Sequence, residues 1–303
     1  MSNSIFQQSF LGYVAEVEPG TTPGTPDMLK LRTNDPLQAS SSKEIFESEE
    51  VLSHRQREHV RHGRRGFEGS VPTELSFGAY NDWLEALLSG SWSNGVLKAG
   101  TSLKTFTVEQ RIASNMFIQG LGVAPSQLTL TINPTGIVTA NWDLIGMDFQ
   151  SATTTLGAPA DVATHAPFDG LGNAVVSEGG SPIGIATSIE ITINAQKTVG
   201  ALLGSNAGDT PTDGQLQITG SMSARFNSLD LFQKFENETE SSLSVTLTNP
   251  GANDTLQIEL PRLKYTGGQP VNNDNVIDGN FEFEGLYDAG EASSIVITEV
   301  EST

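Results

Sequence analysis

The chain has 303 residues, no Cys, and 36 acidic against 16 basic side chains, which gives a net charge of −20. This balance argues against a surface that grips nucleic acid, since such binding relies on clustered Lys and Arg. The lack of Cys excludes disulfides, thiolate metal sites and a cysteine nucleophile. We find no signal-peptide pattern and no apolar run of about 18 residues, so we expect a soluble protein made in the cytoplasm, without membrane contact.

The N-terminal part begins with a short predicted strand and a connector at residues 19–26, which holds three prolines. Residues 34–70 have no clear periodicity, and a long loop is predicted at 40–68. Its charge changes abruptly from acidic to basic. The acidic residues are Glu44, Glu47, Glu49 and Glu50; the arginines are Arg55, Arg57, Arg61, Arg64 and Arg65; three histidines lie among the arginines. Such a segment is either disordered or functional in binding, and we expect it to contact another subunit.

A strand and a short helix follow the predicted loop. Residues 69–77 alternate as a strand does, and apolar residues at helical spacing from Tyr80 to Leu88 predict a helix. Ser76 or Gly78 would precede this helix and Gly90 would end it. Strands are then predicted at 103–112, 126–133 and 136–149. The abundance of Gly, Thr and Ser also favours a mainly β protein.

The second half is predicted to repeat this order after a linker at 151–184. Strands at 185–194 and 220–226 precede a helix at 228–235, for which Ser228 is a natural N-cap. Strands at 241–248, 254–266, 276–287 and 294–298 complete the chain.

The most informative feature is an internal similarity between residues 138–147 and 277–286. Asn141 matches Asn280, Trp142 matches Phe281, and glycine, acid and apolar positions also coincide. This pattern predicts a duplication into two tandem β units, at 1–150 and 185–303. Self-similarity of this kind is more typical of assemblies than of active sites.

Patterns of catalytic residues are weak. His59 and His62 could share a metal on a helix, but the neighbouring arginines disfavour a dication. Asp143 with Glu282 and Glu284 could suggest a glycoside hydrolase, although acids on alternating strands are usually a solvated face. Only His165 lies outside the basic segment, so a serine triad has almost no candidate base. We expect no enzymatic activity and no cofactor.

Several short segments, taken in order and spacing, resemble the tail tube proteins of long-tailed bacteriophages. They include Gly20–Pro26, Arg64–Gly66, Glu74–Tyr80, Ser89–Trp92, Leu97–Lys98 with Phe106–Glu109, and Leu260–Lys264. The resemblance implies a β-sandwich or barrel-like unit with short flanking helices, whose inner sheets join around a ring. It implies a virion protein whose stacked rings surround the tape-measure protein, meet tail terminator and tip proteins, and later conduct DNA without binding it specifically.

Two tandem tail-tube-like units per chain would make a ring of three chains with pseudo-sixfold symmetry; six chains is the alternative. An acidic lumen would repel DNA, and the candidate lumen acids are Asp143, Asp148, Glu282 and Glu284. A β-rich carbohydrate-binding or adhesin-like module is the competing prediction, and it would need an exposed aromatic platform. A glycoside hydrolase, the third, would need two acids facing across a cleft.

Overall fold

The computed structural model describes residues 9–162, 165–183, 186–226, 229–249, 251, 254–273 and 276–302. Strands dominate this part of the chain, which confirms the predicted mainly β class. In the first half they are β1 (Phe10–Ala15), β2 (Leu29–Lys30), β3 (Ala39–Glu47), β4 (Val60–Glu74), β5 (Val96–Lys98), β6 (Phe106–Ala113), β7 (Met116–Ile132), β8 (Thr139–Gly146) and β9 (Asp148–Ala152), with helix α1 (Asn81–Leu88) after β4.

The remaining strands are β10 (Ala160–Asp161), β11 (Ala174–Glu178), β12 (Ser181–Pro182), β13 (Ala186–Asn194), β14 (Gln217–Arg225), β15 (Ser241–Thr248), β16 (Thr255–Asn273), β17 (Val276–Gly285) and β18 (Val296–Val300). Helix α2 (Asp230–Glu236) follows β14. Neither described helix is long and apolar enough to cross a membrane.

Eight antiparallel strands form one continuous row, which we call the central row. Its order is β3, β4, β8, β7, β13, β14, β17 and β16. The strands alternate buried apolar residues with polar ones: Leu128 and Leu130 are buried, whereas Thr129 and Thr131 are not. One face of the row is therefore core, and the opposite face is polar.

Two shorter sheets complete the fold. The first runs from β10, parallel to β2, through β2, β1 and β6 to the N-terminal part of β7 and β9. The second runs from β11 through β15 to the N-terminal part of β16, then β18 and β5. Because β7 and β16 each belong to the central row and to one shorter sheet, they link the layers around a shared core that contains Trp142, Phe106 and Phe283.

The two halves have matching strand pairings. β8 lies between β4 and β7, and β17 lies between β14 and β16. In each half, one neighbour is the strand before the helix (β4 before α1, β14 before α2). The other neighbour is the strand that comes immediately before in the chain (β7 before β8, β16 before β17). The irregularities match too. β7 shifts register between Pro125 and Gln127 opposite β8, and β16 shifts between Tyr265 and Gly267 opposite β17. The duplication into two tandem units stays a prediction, because β5 and β7 of the first half pair with strands of the second.

The first helix confirms the prediction of its position but not of its ends. It begins after Tyr80, which makes no side-chain capping hydrogen bond. Ser89 ends it in the left-handed conformation with φ of 48°, and the Gly90 N–H bonds to the Glu85 carbonyl. The predicted role of Gly90 as the terminator is thus wrong by one residue. The expected cap of α2, Ser228, lies outside the described residues.

The predicted loop at 40–68 is wrong in its secondary structure, because β3 and β4 form a long hairpin over most of it. The pairing of β4 with β8 ends at Phe67, and from there towards its tip the hairpin extends past the end of β8. Neither face of this part is consistently buried, so its sequence shows no apolar alternation. The segment predicted as a linker also differs. Its residues form β10, β11 and β12, and Phe168 within it is fully buried.

Candidate assembly surface

The alternating strands of the central row build a polar face that extends across the row. Buried residues such as Val71, Trp142, Ile191 and Phe281 point into the core, so their neighbours in each strand point away from it. These neighbours are mostly Ser, Thr, Asn and Gln. The carboxylates on this face include Glu68, Asp143, Glu190, Glu282 and Glu284, and its basic residues include Lys264, opposite Glu284, and Arg225, paired with Asp278. The face combines hydroxyl and amide groups with negative charge.

Three of the four predicted lumen acids lie on the polar face. Asp143 accepts hydrogen bonds from Ser70 Oγ at 2.6 Å and Gln127 Nε2 at 3.0 Å, so neighbouring strands hold its carboxylate in place. Glu282 is exposed, and Glu284 is half-buried. Asp148 does not belong to this face. It lies in β9 and pairs with Arg65 Nη2 at 2.6 Å.

The predicted contact segment is the β3–β4 hairpin, and several of its charges pair with each other. Arg64 Nε lies 3.2 Å from Glu44 Oε1, and Arg57 Nη1 lies 2.6 Å from Glu47 Oε2. Arg61 is exposed in β4. The remaining members lie near the hairpin tip, where they line one shallow groove: Glu49, Glu50 and Arg55. These ion pairs join the acidic stretch of the segment to its basic stretch, so the two charges partly neutralise each other within the hairpin.

The hairpin also presents apolar side chains that the sequence analysis did not single out. Ile45 is 60% exposed, Phe46 59%, Val60 56% and Val51 100%. The dipeptide Ile45–Phe46 within an acidic stretch was the available signal. Several large exposed apolar side chains on one projecting element indicate a contact surface.

Both ends of the central row are free edges in the described structure. β3 pairs with β4 alone. The C-terminal part of β16, from Lys264, pairs with β17 alone. Unpaired strand edges present rows of backbone N–H and C=O groups that can pair with another chain.

The two helices differ in how well they are covered. α1 buries Trp83, Leu84 and Leu87, whereas α2 has no buried residue. The end of α1 is covered by the segment after β13: Lys197 Nζ donates to Ser89 Oγ at 3.1 Å and pairs with Asp213. We find no equivalent cover over α2 in the described residues.

The residues considered for other functions have structural surroundings. His165 Nδ1 lies 3.3 Å from Asp254 and its ring packs edge-on against Phe77. Trp83 and Trp142 are fully buried, so they cannot form the exposed platform that carbohydrate binding would need. Among the described residues, no group of three or more His, Asp or Glu is placed to hold a metal ion.

Ionisable groups with shifted pKa values also lie inside the fold. Burial raises the pKa of Glu299, and hydrogen bonds from Asn81 and Gly78 partly oppose that shift. Burial raises the pKa of Tyr80 to about 12. Tyr80 donates to the Arg32 carbonyl at 2.8 Å, so its hydroxyl acts as a packing and bonding group.

Comparison with known proteins identifies the family of the chain. A search of curated proteins finds no match. A family model described as phage tail tube protein matches residues 7–285, nearly the whole chain. The chain therefore belongs to the phage tail tube protein family and is a structural component of the bacteriophage tail.

Proposed function

We propose that the chain closes into rings that stack into a hollow tube, and that the polar face of the central row lines the channel through which DNA passes. The observation that carries this proposal is an open row of strands with a polar, acid-bearing face and a free edge at each end. An open row with two unpaired edges is completed when copies pair edge to edge and the ring closes.

Strand geometry favours three chains in each ring. Strands lie about 4.8 Å apart, so three rows of eight strands give a backbone circumference of at least about 115 Å and a diameter of about 37 Å. Strand tilt widens the ring further. This leaves room for a DNA duplex after the side chains are included. Six chains would give about 73 Å by the same spacing, much wider than the cargo requires.

The chemistry of the polar face suits transit of a polyanion. Each phosphate that a basic group neutralises releases counterions and holds the DNA in place. Glu68, Glu190 and Glu282 are exposed on this face and provide no such counter-charge. We therefore propose that DNA passes without specific binding. Before ejection, the same channel would hold a tape-measure protein.

We propose that the β3–β4 hairpin contacts a neighbouring subunit or ring, and that terminator and tip proteins close the two ends of the tube. The hairpin supports this role because it projects past β8 and carries exposed apolar and charged side chains together. Assembly would take place in the cytoplasm of the host cell.

Electron microscopy of the purified, concentrated protein tests the proposal. We expect hollow tubes or rings whose class averages show three whole chains with pseudo-sixfold symmetry. Rings of six whole chains would contradict the proposed ring of three chains but would agree with the proposed tube. Protein that stays monomeric over a wide range of concentration and salt would contradict the proposed assembly.

The channel chemistry needs a separate test. Tubes carrying Glu282→Lys with Glu284→Lys should retain short DNA duplexes in a salt-sensitive manner, while unsubstituted tubes should not. The matched control is Glu18→Lys with Glu301→Lys, which makes the same change in charge at exposed positions off the polar face. Equal DNA retention by both variants would show that the polar face does not line the channel.

A further inference from the structure

The structure contains one junction between its two halves within the central row. β7 and β13 pair antiparallel, with Thr129 opposite Thr192 and Leu128 opposite Ile193. The hydroxyl oxygens of Thr129 and Thr192 lie 3.4 Å apart. At the bulge in β7, the Ala195 N–H donates to the Ser126 carbonyl at 2.9 Å. We call the first four strands of the central row (β3, β4, β8 and β7) and the last four (β13, β14, β17 and β16) the two four-strand sets. The internal junction of β7 with β13 joins the end of the first set to the start of the second.

The matched registers identify the equivalent strand at one end of the row. Leu128 lies opposite Trp142 in the first half, and Gly268 lies opposite Phe281 in the second. Because Trp142 and Phe281 correspond in sequence, Gly268 of β16 takes the place of Leu128 of β7. Gln269 then takes the place of Thr129.

The registers of β4 and β14 identify the equivalent strand at the other end of the row. Val71 lies opposite Trp142, and Met222 lies opposite Phe281, so Val71 of β4 corresponds to Met222 of β14. Two residues earlier in each strand, Gly69 therefore corresponds to Gly220. Gly69 faces Ala39 of β3, and Gly220 faces Ile191 of β13. Ala39 therefore corresponds to Ile191, and Ser40 corresponds to Thr192.

We infer that the free edge of β16 pairs antiparallel with the free edge of β3 from a second copy of this chain, in the register of the internal junction. Gln269 then faces Ser40 of the second copy, Gly268 faces Ser41, and Gly267 faces Ser42. The Lys43 N–H donates to the Thr266 carbonyl at the bulge, as Ala195 does to Ser126. This inference rests on the proposed ring and specifies how it closes.

The two edges are compatible with this pairing. Ser40, Ser41 and Gln269 are exposed, so their strands can accept a neighbour without displacing other elements. Opposing Ser and Gly residues let the backbones approach closely. Pro270 supplies no backbone N–H, and a proline within a strand is found at sheet edges, where it limits indiscriminate pairing.

The hairpin supplies a second contact in the same arrangement. The segment that continues from β13 carries Lys197 to the end of α1. Ile45 stands at the corresponding place within β3, on the hairpin, and it is 60% exposed. The hairpin of one copy therefore lies over the C-terminal end of α2 of its neighbour, where Phe235 is half-buried. Apolar side chains meet an uncovered helix.

The interface is directional, since the edge of β16 meets a different edge, that of β3. Such head-to-tail contacts close into a ring when the rotation between copies allows it. The internal junction sets that rotation, because it already relates two equivalent four-strand sets within the chain.

Engineered cysteines test the register directly, because the natural chain contains none. A Ser40→Cys and Gln269→Cys double variant, oxidised after assembly, should form a ladder of covalent oligomers that ends at the closed ring. Ser40→Cys with Val271→Cys places both cysteines on the same face but out of register, and should oxidise at least about tenfold more slowly, since a disulfide requires Cβ atoms within about 4.5 Å.

Two further variants keep the test decisive. Thr129→Cys with Thr192→Cys reproduces the internal junction and should crosslink within one chain. Mixed single variants Ser40→Cys and Gln269→Cys should give covalent dimers and no ladder, and they replace the double variant if it fails to fold. Tubes without the 40–269 crosslink, or with faster 40–271 crosslinking, would overturn the register and leave the proposed tube intact. The absence of rings and tubes from the unsubstituted protein would overturn both.

Discussion

The Lys197–Asp213 ion pair at the end of α1 gives a sharp prediction, because its two members differ in their access to water. The side chain of Lys197 is 0% exposed, whereas that of Asp213 is 31% exposed. Ser89 Oγ bridges them: it donates to Asp213 at 2.6 Å and accepts from Lys197 at 3.1 Å. Removing either charge breaks the same pair but leaves a different group behind.

The unequal burial of Lys197 and Asp213 determines how much each substitution should lower the unfolding free energy. In Asp213→Asn the buried ammonium of Lys197 loses its counter-charge, and breaking a buried pair in this way costs about 3–5 kcal/mol. The amide oxygen still accepts a hydrogen bond, so we expect the lower end, about 3 kcal/mol. In Lys197→Met the remaining carboxylate reaches water and keeps Ser89 as a donor, so we expect a cost of about 1 kcal/mol. The double variant should resemble Lys197→Met.

Urea denaturation of the unassembled chain at low concentration, followed by tryptophan fluorescence, measures these differences. Asp213→Asn should lower the unfolding free energy by about 2 kcal/mol more than Lys197→Met does. Equal costs, or a larger cost for Lys197→Met, would refute the reasoning from unequal burial. A double variant as unstable as Asp213→Asn would also contradict it, because no uncompensated buried charge remains there.

Three other predictions follow from burial and exposure. Glu299→Gln should flatten the pH dependence of unfolding: because burial raises the pKa of Glu299, its contribution to stability is present below the ordinary glutamate pKa and is lost as pH rises through the raised value. Denaturation at a series of pH values checks this, and parallel curves would contradict it. Trp142→Ala should cost about 3–5 kcal/mol by urea denaturation, and half-buried Trp92→Ala clearly less. Phe46→Ser should change the unfolding free energy by less than about 0.5 kcal/mol, yet raise the concentration needed for tubes to appear in light scattering. Unchanged assembly would exclude Phe46 from the interface.

Elements with one buried face could be predicted from the sequence. Strand β15 occupies its predicted range of 241–248, and α1 and α2 lie within a few residues of their predicted positions. Alternation and helical spacing identify such elements because burial constrains every second or every third to fourth residue. The match of Trp142 with Phe281 also indicated two strands that occupy equivalent places in the central row.

The hairpin and the free edges were not predictable by the same means. A strand exposed on both faces has no apolar alternation, so β3 looked like a loop although eight of its nine residues pair with β4. Asp148 was a candidate lumen acid because it lies in the strand predicted at 136–149, but it belongs to β9, outside the central row, and its partner Arg65 is 83 residues distant in sequence. Such contacts depend on topology, which local patterns do not encode.

The proposed junction between chains differs from the internal one in a way that bears on the control of assembly. Inside the chain, Leu128 and Ile193 meet on the core side, whereas between chains their equivalents are Gly268 and Ser41. Less apolar surface is buried, so we expect dispersed chains at low concentration and cooperative assembly at higher concentration. Ser41→Leu restores part of that surface, about 1.5–2 kcal/mol for each junction, and should lower the critical concentration by roughly tenfold or more. Ser40→Leu adds the same apolar surface on the polar face, where the side chain remains exposed to water, so light scattering should show little change in the critical concentration. A stronger effect from Ser40→Leu would mean that the core side of the junction had been assigned to the wrong face of β3.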